Sequence, residues 1–354
     1  MKKFFCYCGQ PVFFDSHQCV TCGLSLGYDP ELRQMLSFIE TENGLVLKTH
    51  QNEFSLFNRD YRFCSNREDY GVCNWLVPAD SPNCLCSGCQ FNRYIVNLKS
   101  KANLNRWHQF EIAKKRLLYT LSGLGLPVKN GFKYPDDGLL FDFIEDHRTA
   151  PDAYPESFVS TGFHGGVITI NAMEADDAAR ESVREAMNES YRTLLGHLRH
   201  ESGHYYWTLM EDQASNTEFV ELFGNPYEDY ATALQNHYTN PKEYWRDQYI
   251  SAYASAHPTE DWAETWAHYL LIHDALETAH HNDLISDSPE NLSLDTRIQT
   301  WANLSVTFNE ISRSTGLRDT YPFVVTAVVT EKLKFIEAAI RSLSLLRYQP
   351  AVAH

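Results

Sequence analysis

The segment His200-Glu201-Ser202-Gly203-His204 fits the pattern HExxH and decides how the rest of this 354-residue chain is interpreted. Two histidines four residues apart lie on one face of a helix, one turn apart, so both rings can bind the same zinc ion. The glutamate beside the first histidine can then act on a zinc-bound water. A chain with 15 histidines can match this pattern by chance. The surrounding residues must therefore distinguish a metal site from a coincidence.

The composition is that of a soluble globular protein. Hydrophobic residues make up 43% of the chain and charged residues 21%, which is typical of folded rather than disordered proteins. The length predicts two or three domains. The sequence contains no apolar run of 18 residues, and its first ten residues, MKKFFCYCGQ, lack the apolar core and cleavage site of a signal peptide. We therefore predict a cytoplasmic protein without a membrane segment.

The formal net charge of −16 argues against an affinity of the whole protein for nucleic acid or anionic membranes. The stretch from residue 90 to residue 116 differs, because it carries seven basic residues and Glu111 as its one acid. Such runs are commonly solvated faces of helices, and a patch for an acidic partner is the minor alternative.

All nine cysteines lie within the first 89 residues. In a reducing compartment, clustered cysteines indicate metal more often than disulfides. The first group, in FFCYCGQPVFFDSHQCVTCGLSLGY (4–28), has one CxC pair and one CxxC pair, with a predicted strand between them. This layout is typical of a zinc ribbon, although the CxC pair is one residue shorter than the usual turn. The predicted ligands of a first structural zinc are Cys6, Cys8, Cys19 and Cys22.

The second group has five cysteines for a four-ligand site. Cys86 and Cys89 form a CxxC turn, and we assign Cys64 and Cys73 to the other half. Cys84 is then left over or substitutes for a neighbour. A single site that draws on both groups remains an alternative, because pairing is not readable from sequence. Complete thiolate sets leave no open coordination position, so we predict that both zinc ions are structural.

Periodicity predicts the elements between and after the cysteines. Apolar residues recur at helical spacing from Leu32 to Ile39, whereas 45–47 and 54–57 are strand-like. Residues 105–124 have the period of a longer helix, for which Asn103 or Asn105 is the candidate cap. We therefore divide the chain into a zinc-ribbon region at 1–100, a connecting helix at 101–127 and a larger domain at 128–354.

The larger domain is predicted to begin with strands at 141–144 and 166–171, the second of which alternates β-branched residues. A polar, acidic interval then opens a long helical stretch that ends in HESGH. If this helix is continuous to Trp207, it is about 45 Å long at 1.5 Å per residue, and two shorter helices are the alternative.

A catalytic zinc needs a third protein ligand and one open position. Helical spacing selects Glu260 and Glu264, which lie one turn apart in a helix that Pro258 can start. One carboxylate can bind zinc while the other accepts the second ring N–H of a ligand histidine. Aromatic residues between the two acids suggest a buried opposite face rather than a fully solvated helix.

The HESGH segment and the later Glu-x-x-x-acid helix together resemble the gluzincin group of zinc metallopeptidases. The run EDWAE at 260–264, with Tyr253 seven residues before it, is similar to the anthrax lethal factor type of that group. Three further segments resemble the bacterial family of zinc-binding metallopeptidases with an N-terminal zinc ribbon. They are CNWLVPAD (73–80), NRWHQFEIAKKRLLYTLSGLGLPV (105–128) and DTYPF (319–323).

This resemblance covers nearly the whole chain and implies an α+β fold. We expect an N-terminal cysteine-rich zinc-ribbon region, followed by a mostly helical, zincin-like metallopeptidase domain with a small sheet. Glu264 is one methylene longer than the aspartate commoner at its position, and Glu260 and Glu264 could exchange roles. The resemblance implies the zinc ligands His200, His204 and Glu260, the general base Glu201, the histidine-orienting Glu264 and the oxyanion-stabilising Tyr253.

The expected function is a zinc-dependent peptidase with one catalytic and two structural zinc ions, acting on a peptide or protein substrate. A peptide could pair with the strand at 166–171 if that strand forms an exposed sheet edge. The main alternative is a non-catalytic zinc-ribbon adaptor for a protein partner, which would not need the base Glu201. Nucleic-acid binding is disfavoured by the net charge. Peptide deformylase also uses HExxH, but it needs a cysteine ligand, and no cysteine follows Cys89 here.

Overall fold

The computed structural model describes residues 1–49, 59–154, 157–187, 189–210 and 216–346. Over these residues the protein is α+β, with a cysteine-rich, strand-bearing front part followed by a mostly helical part, which confirms the predicted fold class. No helix in the described ranges combines the length and the apolar character needed to cross a membrane.

Three small antiparallel sheets build the front part. They pair β1 with β2, β3 with β4 and β5, and β6 with β7. A single-turn helix, α1 (Ser65–Glu68), follows β6. The strands are β1 (Phe4–Phe5), β2 (Pro11–Val12), β3 (Ser25–Asp29), β4 (Gln34–Thr41), β5 (Gly44–Lys48), β6 (Tyr61–Phe63) and β7 (Leu76–Pro78).

The helix expected from Leu32 to Ile39 is wrong, because this stretch contains most of β4. Arg33 adopts a positive φ of 53° that ends any helical run before the strand. Residues 35–38 are all buried, with Leu36 and Phe38 in a small separate cluster and Met35 in the main core. A strand covered on both faces has consecutive apolar residues, and these also match a helical period. The strand predicted at 45–47 is confirmed within β5, and 54–57 lies outside the described residues.

The predicted connecting helix is present as α2 (Lys101–Gly123). Its cap position is Ser100, so the assignment of Asn103 or Asn105 as cap is wrong. Asn103 lies inside the first turn, where its buried amide donates to Asn97 O at 2.8 Å and to Glu145 Oε1 at 2.7 Å. It therefore ties the helix start to the larger domain.

Most basic residues of the stretch at 90–116 form ion pairs with acidic residues of the same chain. Lys114 and Lys115 are buried against Glu111, with N–O distances of 2.7 and 3.3 Å. Three arginines of the stretch pair with carboxylates elsewhere in the fold, which leaves little of its charge for an acidic partner. These pairs are Arg93–Asp142, Arg106–Asp176 and Arg116–Asp15.

The larger part contains a four-stranded sheet in the order β10-β11-β9-β8. The strand at 166–171 is not an exposed edge with which a peptide could pair, because β11 pairs in parallel with β9 on one side and antiparallel with β10 on the other. The turn Gly165-Gly166 has positive φ at both residues and folds β10 back along β11. The strands are β8 (Asn92–Tyr94), β9 (Leu140–Ile144), β10 (Gly162–His164) and β11 (Val167–Asn171).

Seven helices follow the sheet in the described part of the chain. Of the two alternatives for the stretch before HESGH, the structure has two shorter helices, because Thr193 caps a new helix and its hydroxyl accepts a hydrogen bond from Gly196 N at 3.0 Å. The helices are α3 (Asp177–Ala186), α4 (Leu194–Thr208), α5 (Thr217–Phe223), α6 (Tyr230–Thr239), α7 (Pro258–His281), α8 (Leu294–Ser314) and α9 (Ala327–Leu346).

One hydrophobic core runs through the front part and the helical part. Phe14 from the first cysteine group packs against Tyr119 of α2, with ring centroids 5.4 Å apart. Thr120 of α2 donates to Asp274 of α7 at 2.8 Å, and Asp274 accepts from Arg199 of α4 at 2.5 Å. The zinc-ribbon region and the helices thus share their interior, and the boundaries at residues 100 and 127 stay predictions.

Candidate functional site

Helices α4 and α7 hold the candidate metal centre between them. Nε2 of His200 lies 3.0 Å from Oε2 of Glu260, and Nε2 of His204 lies 3.5 Å from Oε1 of the same carboxylate. The two Nε2 atoms are 3.2 Å apart. One ligand atom from each of the three residues lies within 4.8 Å of the others. The structure therefore brings together the three residues that the sequence predicted as zinc ligands.

The start of α7 places Glu260. As predicted, Pro258 occupies the first turn, and the His257 ring accepts a hydrogen bond from Thr259 N at 3.1 Å as the helix cap. Trp262 and Trp266 are fully buried against α4, where their indole N–H groups donate to Gly203 O and Ser202 Oγ. These contacts fix the rotation of α7 so that Glu260 faces the two histidines.

The donor set fits a zinc ion. Two imidazole nitrogens and a carboxylate oxygen are zinc ligands, and three protein ligands leave a position for water or substrate. Oε2 of Glu260 is buried 3.0 Å from Nε2 of His200 without a well-aligned hydrogen bond, so a cation between the two atoms would give both a partner. Burial opposes the positive charge of His200, but the close carboxylates of Glu260 and Glu264 raise its pKa well above 6.5. The carboxylates thus favour a cation at this point.

Glu264 orients His200. Its Oε1 lies 2.7 Å from Nδ1 of His200, and its Oε2 accepts from the hydroxyl of Ser251 at 2.6 Å. Burial would raise the pKa of Glu264, but the hydrogen bond to His200 outweighs it and lowers the pKa to about 2. Both oxygens of Glu264 are engaged, which favours Glu260 as ligand and Glu264 as the orienting acid. Sequence spacing gave no signal for Ser251.

Three further side chains lie at the site. Glu201 is buried next to His200, and the Tyr253 ring is 5.9 Å from the His200 ring. Tyr230 was missed by the sequence analysis, and its hydroxyl donates to Oε1 of Glu260 at 3.0 Å. Burial, followed by the charge of Glu260, raises the pKa of Tyr253 above its usual value of 10, so this phenol stays protonated.

Gly203 allows α4 and α7 to approach closely. A Cβ at this position would lie 3.0 Å from the backbone Cα of Ala263 and 3.2 Å from Trp266. We expect Gly203→Ala to push the helices apart, at about 1–3 kcal/mol of overpacking, which exceeds the gain of about 1 kcal/mol in helix propensity. The melting temperature and the zinc affinity of the histidine site should both fall.

The matched control is Gly162→Ala, whose added Cβ meets open space. Zinc titration and thermal unfolding of both variants check this expectation. A Gly203→Ala protein with the melting temperature and zinc affinity of the wild type would show that α4 and α7 tolerate a wider spacing.

The cysteines form two separate clusters, each with Sγ atoms within 4.8 Å of one another. The alternative of one mixed site therefore does not describe this fold. The first cluster has two exposed and two buried thiols, whereas the second is entirely buried. Cys84 is exposed and lies outside both clusters, as expected for the leftover cysteine. The clusters are Cys6, Cys8, Cys19 and Cys22, and Cys64, Cys73, Cys86 and Cys89.

The tail segment DTYPF (319–323) packs against α7 at His268. The Tyr321 hydroxyl lies 2.9 Å from Nδ1 of His268, and the Phe323 ring packs on His268 with a centroid distance of 4.5 Å. His268 is therefore a buried, hydrogen-bonded core residue. His197 lies 3.2 Å from Glu174 rather than in the metal centre.

Comparisons with known proteins match both parts of the chain. Residues 103–339 match the family described as "Putative zinc-binding metallo-peptidase", and residues 3–100 match a zinc-ribbon domain. Uncharacterized proteins of Mycobacterium bovis and Mycobacterium tuberculosis are each 38% identical over 354 residues, which cover 96% of this chain and 95% of the relative. No solved structure matches the chain significantly.

Proposed function

The chain belongs to the family described as "Putative zinc-binding metallo-peptidase", and from this premise we propose that it hydrolyses peptide bonds as a zinc-dependent enzyme of the HExxH type. The observation that carries the proposal is the convergence of His200, His204 and Glu260, with ligand atoms within 4.8 Å, beside the buried Glu201. A site that only bound metal would have no need of a carboxylate at position 201.

Zinc held by these three side chains would supply a Lewis acid and lower the pKa of a water molecule. Glu201 accepts the proton of the attacking water and passes it to the amine that leaves. The Tyr253 phenol donates to the oxygen that becomes negative at the scissile carbonyl, as the resemblance to the lethal factor type implies. Glu264 accepts Nδ1–H of His200, which keeps the Nε2 lone pair directed at the metal centre.

We also propose that the two cysteine clusters hold structural zinc, which gives three zinc ions per chain. Four thiolates complete a tetrahedral site and leave no position for substrate. All nine cysteines are free thiols in the structure, which suits the reducing conditions of the cytoplasm, the compartment we propose.

A non-catalytic adaptor is the second candidate function, and one observation favours it. Two apolar side chains of the first ribbon are almost fully exposed, Phe13 at 81% and Val20 at 93%. Exposed apolar residues on a small zinc-bound module suit a protein partner. The two functions differ in whether the purified protein cleaves peptides.

The zinc content of His204→Ala tests the metal centre. We expect about three zinc ions per wild-type chain and about two in the variant, because a two-ligand site holds zinc poorly. The same variant should lose cleavage of a peptide library. Metal analysis and mass spectrometry of the library provide the two measurements.

The control is His281→Ala, at the far end of α7 and about 30 Å along the helix from Glu260 at 1.5 Å per residue. It should keep both the zinc and the cleavage. An unchanged zinc count in His204→Ala would exclude this residue as a ligand, and a zinc-loaded wild type that cleaves nothing would favour the adaptor.

A further inference from the structure

Helix α6 lies against the metal centre but has no buried residue in the described part of the chain. Its inward face carries Tyr230, Ala233, Leu234 and His237, which recur at helical spacing, and the two central residues are only half-buried. Helices of a folded domain are normally held by a buried apolar face. The attachment of α6 must therefore depend on its polar contacts.

Those contacts come from the two ends of the inward face. At one end, the Tyr230 hydroxyl donates to Oε1 of Glu260 at 3.0 Å. At the other, the His237 ring lies 6.0 Å from the Tyr253 ring, and its Nδ1 is 3.5 Å from the hydroxyl of Ser255. The 3.0 Å contact is the stronger, because its acceptor is a buried carboxylate.

Because of Tyr230, the two carboxylate oxygens of Glu260 differ in their hydrogen bonding. Oε1 accepts a hydrogen bond from the phenol, whereas Oε2 is buried 3.0 Å from Nε2 of His200 without a well-aligned hydrogen bond. The Tyr230 ring packs on His257, the cap of α7, with centroids 5.2 Å apart. The phenol is therefore braced against the start of the helix that carries the carboxylate, and Oε2 remains available to a cation.

We propose that Tyr230 is a positioning residue of the metal centre, which fixes the Glu260 carboxylate for zinc and tethers α6 over the site. The proposal rests on the proposed function only in taking Glu260 as a zinc ligand. A carboxylate already held in one orientation loses less conformational entropy when metal binds. Hydrogen-bond partners of metal ligands typically contribute 10–100-fold to metal affinity.

The test is Tyr230→Phe in the full chain, which removes the hydroxyl and keeps the ring on His257. We expect about tenfold weaker affinity for the zinc ion that is lost in His204→Ala, measured by competition with a chromophoric chelator. Hydrogen exchange of the α6 amides should become faster. The control Tyr227→Phe makes the same change at a ring that is 75% exposed, and it should alter neither quantity.

A Tyr230→Phe protein whose zinc affinity stays within about twofold of the wild type would overturn the proposal, whatever the exchange rates show. The measurement does not use peptide cleavage. A wild type that binds the third zinc without cleaving peptides would contradict the proposed function and leave the result for Tyr230 intact.

Discussion

Glu201→Gln should lower kcat for peptide cleavage by about 10²–10⁴-fold, the usual contribution of a general base, and leave the zinc content unchanged. Glutamine has nearly the same shape but cannot take a proton from water at neutral pH. Glu201 is buried beside His200 and lies outside the three-residue ligand set. The change therefore removes a proton acceptor without removing a ligand.

The measurements are single-turnover cleavage of a peptide found in the library and metal analysis of the same sample. Glu221→Gln on α5 is the control, because this glutamate is exposed and should keep both activity and zinc. Cleavage by Glu201→Gln at the wild-type rate would exclude Glu201 as the base. Loss of zinc in this variant would instead mean that Glu201 contributes to metal binding.

Cys86→Ser is expected to have the largest effect on stability. The second cysteine cluster is entirely buried and belongs to the main core. A structural zinc contributes on the order of 10 kcal/mol to folding, which is comparable with the whole stability of a domain, about 5–15 kcal/mol. The variant should therefore lose one zinc ion and most of its soluble, folded yield.

Cys84→Ser is the matched control, two residues away in the chain, because Cys84 is exposed and outside the clusters. Circular dichroism melting and metal analysis of both variants test whether the second cluster holds a structural zinc. Cys22→Ser, at an exposed thiol of the first cluster, should show an intermediate loss. If Cys86→Ser melts at the wild-type temperature, the second cluster does not hold a structural metal.

The sequence alone was sufficient to predict the motifs whose candidate metal ligands stand at a fixed spacing along the chain. HExxH and Glu-x-x-x-Glu are helical patterns, so the helix geometry alone brings each pair to one face. The CxxC turns are local in the same way. The grouping of Glu260 with His200 and His204 required the packing of α4 on α7, and the resemblance to a known family supplied that grouping before the structure did.

Tertiary contacts determine the features that the sequence did not predict. β4 has the apolar spacing of a helix because both of its faces are covered. A pattern within one segment does not reveal that other parts of the chain cover both faces of the strand. The Gly165-Gly166 pair, with positive φ at both residues, is a local signal for the hairpin that covers β11. Tyr230 and Ser251 reach the site from loops and helices at spacings that no periodicity relates to Glu260 or Glu264.

The continuous core has a consequence for chelator experiments. Helix α2 is packed on the cysteine-rich region and is joined through Thr120 and Asp274 to Arg199, the residue before His200. If the cysteine clusters hold zinc as proposed, stripping it would therefore loosen the support of α4 and abolish the proposed peptidase activity from outside the histidine site. Inhibition by EDTA would not identify a catalytic metal. Brief treatment with a weak chelator, followed by recovery of activity on adding zinc, would separate reversible loss of the histidine-bound ion from cooperative unfolding.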